Sequence, residues 1–70
     1  MKNRIKAERA LLDISQAQLA DMVQVSRQTI FSVEHGKDNP STLLALKMAS
    51  VFSKHVNEVF ELEESDWACD

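Results

Sequence analysis

The sequence predicts a single all-α domain of five short helices followed by a short acidic C-terminal tail. Apolar residues recur at helical rather than strand spacing from residue 5 to residue 60. Serines stand at the heads of several of these stretches, where their side chains cap a first turn. The one glycine and the one proline, Gly36 and Pro40, fall together in a single loop, the clearest break in the chain.

Taken in order, Ile5, Arg9 and Leu12 share one helical face. Ser15 with Gln18 three residues on is a capping box opening a second helix that runs to about Val23, with Leu19, Ala20 and Val23 at helical spacing. Ser26 caps a third, from Arg27 to His35, which Gly36 ends at a position suited to a left-handed conformation. Ser41 caps a fourth, Thr42 to Phe52, whose apolar residues cover most of its circumference and mark it as the central, buried helix. A short fifth, Val56 to Phe60, turns Val56, Val59 and Phe60 inward. Beyond it Phe60, Leu62 and the intervening acids alternate, as a short strand or as a frayed end. The division is a domain over residues 1–60 and a tail over 61–70.

Seventy residues build one core worth about 3–5 kcal/mol, so a further source of stability is expected. Cys69 stands alone and cannot form an internal disulfide, and no Cys/His cluster has metal-ligand spacing, which leaves a partner subunit. The N-terminus carries no apolar signal segment, and the longest apolar stretch, 42–52, is too short to cross a bilayer and contains Lys47. The expectation is a cytoplasmic protein without membrane partner, metal or cofactor. An enzyme is not expected, since five short helices leave no substrate-sized pocket and no nucleophile–base pair is implied.

The net charge of −3 is unevenly spread. Residues 1–55 hold all eight Lys and Arg against five acids, while residues 56–70 hold the other six acids and no base. A mildly basic body with an acidic tail is compatible with double-stranded DNA, provided the tail points away from it.

The second and third helices are separated by Gln24, Val25 and Ser26 alone. Two helices joined by so tight a turn have the geometry in which the second lies in a major groove while the first braces it. On the second of the pair Arg27, Gln28, Phe31, Ser32 and His35 share one face, with Ile30, Val33 and Glu34 on the other. Arg pairs with two acceptors of guanine, Gln with the donor and acceptor of adenine, and an apolar edge such as Phe31 touches a thymine methyl. Packing of Phe31 against the preceding helix is the competing use of that ring.

The stretches I-S-Q-A-Q-L-A (14–20), V-S-R-Q-T-I (25–30), V-E-H-G-K (33–37) and N-P-S-T (39–42), with L-A-L-K-M-A and N-E-V-F behind them, resemble the Cro and phage-repressor type of helix-turn-helix protein. The resemblance covers residues 3–60 and implies a lambda-repressor-like DNA-binding domain acting as a dimeric transcriptional regulator. It implies base-reading roles for Arg27, Gln28 and Ser32. Gln16 falls at a position contacting phosphate or an outer base, and Ser26, Thr29, Lys37 and Asn39 fall near the phosphate backbone. Arg9 and Glu34 match a structural ion pair, as suits two charges on otherwise inward faces.

Three residues depart from the pattern. Gln24 stands where glycine is frequent, so the turn either holds a non-glycine residue in a left-handed conformation or is reshaped. Glu8 replaces a core leucine, and Asp38 an aromatic beside the DNA backbone. Val56, Phe60, Leu62 and Trp67 are the candidates for a homodimer contact, although Leu62 and Trp67 equally suit a disordered tail. Antitoxins share this fold, so a protein partner such as a toxin is the alternative reading. Cys69 reads as a tail residue without chemical consequence.

Overall fold

The structure, a computed structural model, describes residues 1–68. Within them the elements run β1 (Lys2–Asn3), α1 (Ile5–Leu12), α2 (Gln16–Val23), α3 (Arg27–Glu34), α4 (Thr42–Phe52), α5 (Val56–Val59), β2 (Phe60–Glu61) and α6 (Glu64–Trp67). The three serine caps stand where the sequence places them. Ser15 Oγ accepts from the Gln18 amide at 3.0 Å while Gln18 Oε1 accepts from the Ser15 amide at 2.8 Å. Ser26 Oγ and Ser41 Oγ accept from Thr29 and Leu44.

Of the two readings of the alternation after α5, the structure takes the strand, β2, antiparallel to β1 with Asn3 opposite Phe60 and Lys2 opposite Glu61. Two features go beyond the five-helix reading, the partner strand β1 and a sixth helix of one turn in the tail, α6. Both are too short to leave a periodicity. Cys69 and Asp70 lie outside the described residues.

The core joins Ile5 of α1, Leu19 and Val23 of α2, Ile30 and Val33 of α3, Leu44, Met48 and Phe52 of α4, Val59 of α5 and Phe60 of β2. Helix α4 is central but not buried all round. Leu43 and Leu46 are 64% and 54% exposed on its outer side, because no element among the described residues covers that face. In α1, Leu12 is turned outward and Glu8 lies in the interior, 4% exposed. The Glu8 carboxylate makes no ion pair or side-chain hydrogen bond among the described residues and meets water only at its tip.

One polar cluster ties three helices together. Arg9 of α1 grips Glu34 of α3 with a two-pronged contact, Nε to Oε2 at 2.9 Å and Nη2 to Oε1 at 3.1 Å. Its remaining nitrogen, Nη1, donates to the Ile14 carbonyl in the α1–α2 loop at 3.1 Å. Glu34 Oε1 also accepts from Gln16 Nε2 of α2 at 3.2 Å. Burial pushes the Glu34 carboxyl up, but the hydrogen bonds from Arg9 and Gln16 overcome it and hold the group below the usual carboxylate range.

Removing either partner alone strands a charge, at a cost of about 3–5 kcal/mol, comparable with the stability of so small a domain. Arg9→Met and Glu34→Met should each lose the cooperative thermal transition, and the double variant should regain much of it. Strictly additive effects would contradict the pairing. Because the folded carboxyl titrates below the unfolded one, its stabilisation is complete above about pH 4.3 and is lost as pH falls through the folded value. Glu34→Gln should therefore lose less of its own stability on acidification than the wild type does, measured by urea unfolding from pH 6 to 3.

For Glu8 the expected sign is opposite. Glu8→Met should stabilise the protein by about 1–3 kcal/mol, seen as a higher urea midpoint at unchanged slope. A lower midpoint would show the carboxylate to be supported in a way these contacts do not provide.

Candidate nucleic-acid interface

The turn between α2 and α3 is tight without glycine. Gln24 adopts φ 63°, ψ 45°, so the left-handed option is taken and the turn is not reshaped. The Val25 amide then reaches back to the Ala20 carbonyl at 3.0 Å, which satisfies the frayed end of α2. Lys47 of α4 steadies the same corner, with Nζ 3.3 Å from Gln24 Oε1 and 3.5 Å from the Val23 carbonyl. A cation at the C-terminal end of α2 also suits the helix dipole.

Helix α3 is held from behind by Ile30 and Val33, both buried. At its far end the Asn3 amide nitrogen donates to the carbonyls of Val33 and Glu34 at 3.1 and 3.2 Å, while Asn3 Oδ1 accepts from the Ile5 amide at 3.1 Å. One β1 side chain thus caps the start of α1 and the end of α3. Sequence reasoning missed both supports. An Asn two residues before a helix carries a local capping signal, but nothing in the pattern announces its reach across to α3. Lys47 was visible only as an interruption of an apolar run.

The opposite face of α3 is open. Arg27 and Gln28 are exposed on its first turn and, with Phe31, line a hollow of about 370 Å³. Ser32 is half-buried on the same side. Phe31 is half-buried and belongs neither to the core nor to the side chains packed upon it. It stacks instead on His35, with centroids 4.1 Å apart and planes inclined by 27°, and Lys37 Nζ lies 5.2 Å from its ring centre. The His35 ring is fixed by Nδ1, 2.9 Å from the Phe31 carbonyl.

The residues expected near phosphates flank this face. Ser26 and Thr29 share a hydroxyl contact of 3.0 Å at the head of α3. Lys37 and Asn39 are exposed in the loop after it, as is Asp38. Gln16 is half-buried and donates one amide hydrogen to Glu34, so it serves the ion pair as well as facing outward.

The four dimer candidates are divided. Phe60 is 7% exposed and contributes to the chain's own core, whereas Val56, Leu62 and Trp67 are exposed, Trp67 to 77%. Val56, Leu46, Ala45, Pro40 and Met1 surround an apolar groove of about 250 Å³ with Phe60 at its edge. Nearby, the Met1 amine meets Glu63 at 2.8 Å and Asp66 at 3.2 Å, drawing the start of the tail against β1. Glu63 also lines a groove with His35 and Gly36, which sets it beside the C-terminal end of α3. No helix among the described residues is long and apolar enough to cross a membrane.

A helix-turn-helix family model matches residues 5–59. The chain is 46% identical over 66 residues to an uncharacterized HTH-type transcriptional regulator, YgzD, of Bacillus subtilis, covering 94% of this chain and all of that one. It is 42% identical over 66 residues to an uncharacterized HTH-type transcriptional regulator of Methanocaldococcus jannaschii, with the same coverage. A third such regulator, from Archaeoglobus fulgidus, is 42% identical over 94% of this chain and 93% of its own length. A matched span running from the first buried residue of α1 to the last of α5, around the glycine-free turn and the open face of α3, shows that the chain belongs to the helix-turn-helix family of the Cro and phage-repressor type.

Proposed function

We propose that this protein is a cytoplasmic, sequence-specific DNA-binding transcriptional regulator, a repressor that occupies a palindromic operator as a homodimer. The observation that carries the reading is the outer face of α3, where Arg27 and Gln28 stand exposed on the first turn of a helix braced from behind. Neither forms an ion pair or side-chain hydrogen bond among the described residues, so their donors are available to base edges. The names of the relatives, HTH-type transcriptional regulators, agree with it.

In this mechanism α3 enters the major groove. Arg27 donates to guanine and Gln28 exchanges hydrogen bonds with adenine, with Phe31 and Ser32 behind them. Ser26, Thr29, Lys37, Asn39 and the free amide hydrogen of Gln16 meet the phosphates on either side and set the register. A second copy places its α3 one helical turn away, about 34 Å along the duplex. The apolar groove beside Val56 and the exposure of Leu62 and Trp67 support the dimer contact, to which Phe60 contributes from the chain's own core rather than as a projecting anchor.

Binding-site selection from random DNA, followed by titration at two salt concentrations, tests the reading. Arg27→Ala or Gln28→Ala should cost about 1–3 kcal/mol on the selected operator and relax preference at particular base pairs. Lys37→Ala should weaken all sequences alike and reduce the salt slope by about one unit. If selection enriches no motif, the assignment passes to the alternative, a protein-binding module such as an antitoxin, for which capture of a partner from the native host is the corresponding test.

Sedimentation at micromolar concentration should give twice the 7.9 kDa chain mass, falling toward the monomer when Val56 and Leu62 are both replaced by Asp. A wild type that stays monomeric on its operator would overturn the two-fold arrangement.

A further inference from the structure

We infer that the hollow between Arg27, Gln28 and Phe31 receives the 5-methyl group of a pyrimidine, in thymine and 5-methylcytosine alike, so that the protein reads base methylation together with base sequence. The inference rests on the DNA-reading role proposed above and adds a ligand group to it.

Phe31 is half-buried but lies outside the core contacts that hold α3. Its ring makes no contribution to the core, yet it is held in place by the His35 stack at 4.1 Å and by the Lys37 ammonium 5.2 Å from its centre. His35 is in turn fixed through its Nδ1 contact with the Phe31 carbonyl. A pre-positioned aromatic loses little conformational freedom when it meets a ligand. It shares its hollow with the two side chains equipped to hydrogen-bond base edges, one helical turn away on the same face.

A phenyl ring cannot exchange conventional hydrogen bonds with the O4 of thymine or the N4 of cytosine. Among the groups that bases present in the major groove, the C5-methyl is the apolar one, so it is the group this ring registers. The 4-substituent then falls to Arg27, Gln28 or water, and the methyl contribution is the same whichever pyrimidine carries it. Burying one such group corresponds to about 0.8 kcal/mol, or roughly fourfold in affinity.

The test uses the wild-type protein and the operator it selects from random DNA. At each pyrimidine of one half-site, duplexes carrying thymine, uracil, cytosine or 5-methylcytosine are titrated at fixed salt. At one position thymine should bind about fourfold tighter than uracil, and 5-methylcytosine about fourfold tighter than cytosine. Both ratios should fall to one in Phe31→Ala, whose side chain lies outside the core, and should persist in Arg27→Ala at lower overall affinity. Ratios of one at every pyrimidine with the wild type, or ratios that survive Phe31→Ala, overturn the inference while leaving sequence reading intact. Selection that enriches no motif is a different failure, removing the DNA-reading role and this inference with it.

Discussion

The grip of Arg9 on Glu34 is the constraint on which the rest of the structure depends. Helix α3 has eight residues and sends two fully apolar anchors, Ile30 and Val33, into the core. Two greasy contacts fix a short helix in depth but leave it free to rotate and slide. A planar guanidinium with three of its nitrogens engaged, two on Glu34 and one on the Ile14 carbonyl, removes that freedom. The net stabilisation of such a pair is modest once desolvation is counted, so its value lies in orientation. The outward angle of Arg27 and Gln28 follows from it.

Around that pair, polar contacts at helix ends supplement the apolar core. Asn3 closes the end of α3, Lys47 the end of α2, and serine caps open α2, α3 and α4. Each replaces a backbone partner that a helix terminus lacks. The arrangement suits a chain too short for a large core, because every cap positions as well as stabilises. It also sets the Arg9–Glu34 pair behind α3 and leaves Arg27 and Gln28 exposed on its other side.

Much of this was legible in the sequence because the decisive signals are local. Ser15 with Gln18, Ser26 and Ser41 mark helix starts through contacts spanning three residues, and the length of the Gln24–Ser26 turn follows from the ends of its neighbours. The Arg9–Glu34 pair was implied by the family resemblance, and two charges on otherwise inward faces suit it. What escaped is non-local or very short. The two-residue strand β1 and the one-turn helix α6 have no period, and the Asn3 contact joins residues 30 and 31 apart. The exposure of Leu43 and Leu46 was hidden for another reason: an apolar residue facing an uncovered surface has the same pattern as one facing a core. Glu8 lies in the interior because its position on α1 is set by Ile5 and Arg9, whatever side chain happens to occupy it.

The β1–β2 ribbon joins the second and third residues to the sixtieth and sixty-first. Pairing with β2 holds against the domain the strand from which Asn3 reaches the end of α3. During synthesis, then, α2 and α3 emerge and meet well before the end of α3 is secured, and this last support for α3 arrives only when residues 60 and 61 have left the exit tunnel. Contacts of such sequence separation form late because they must first close a long loop. A nascent chain would accordingly hold the outer face of α3 less firmly until residues 60 and 61 had emerged and paired with β1.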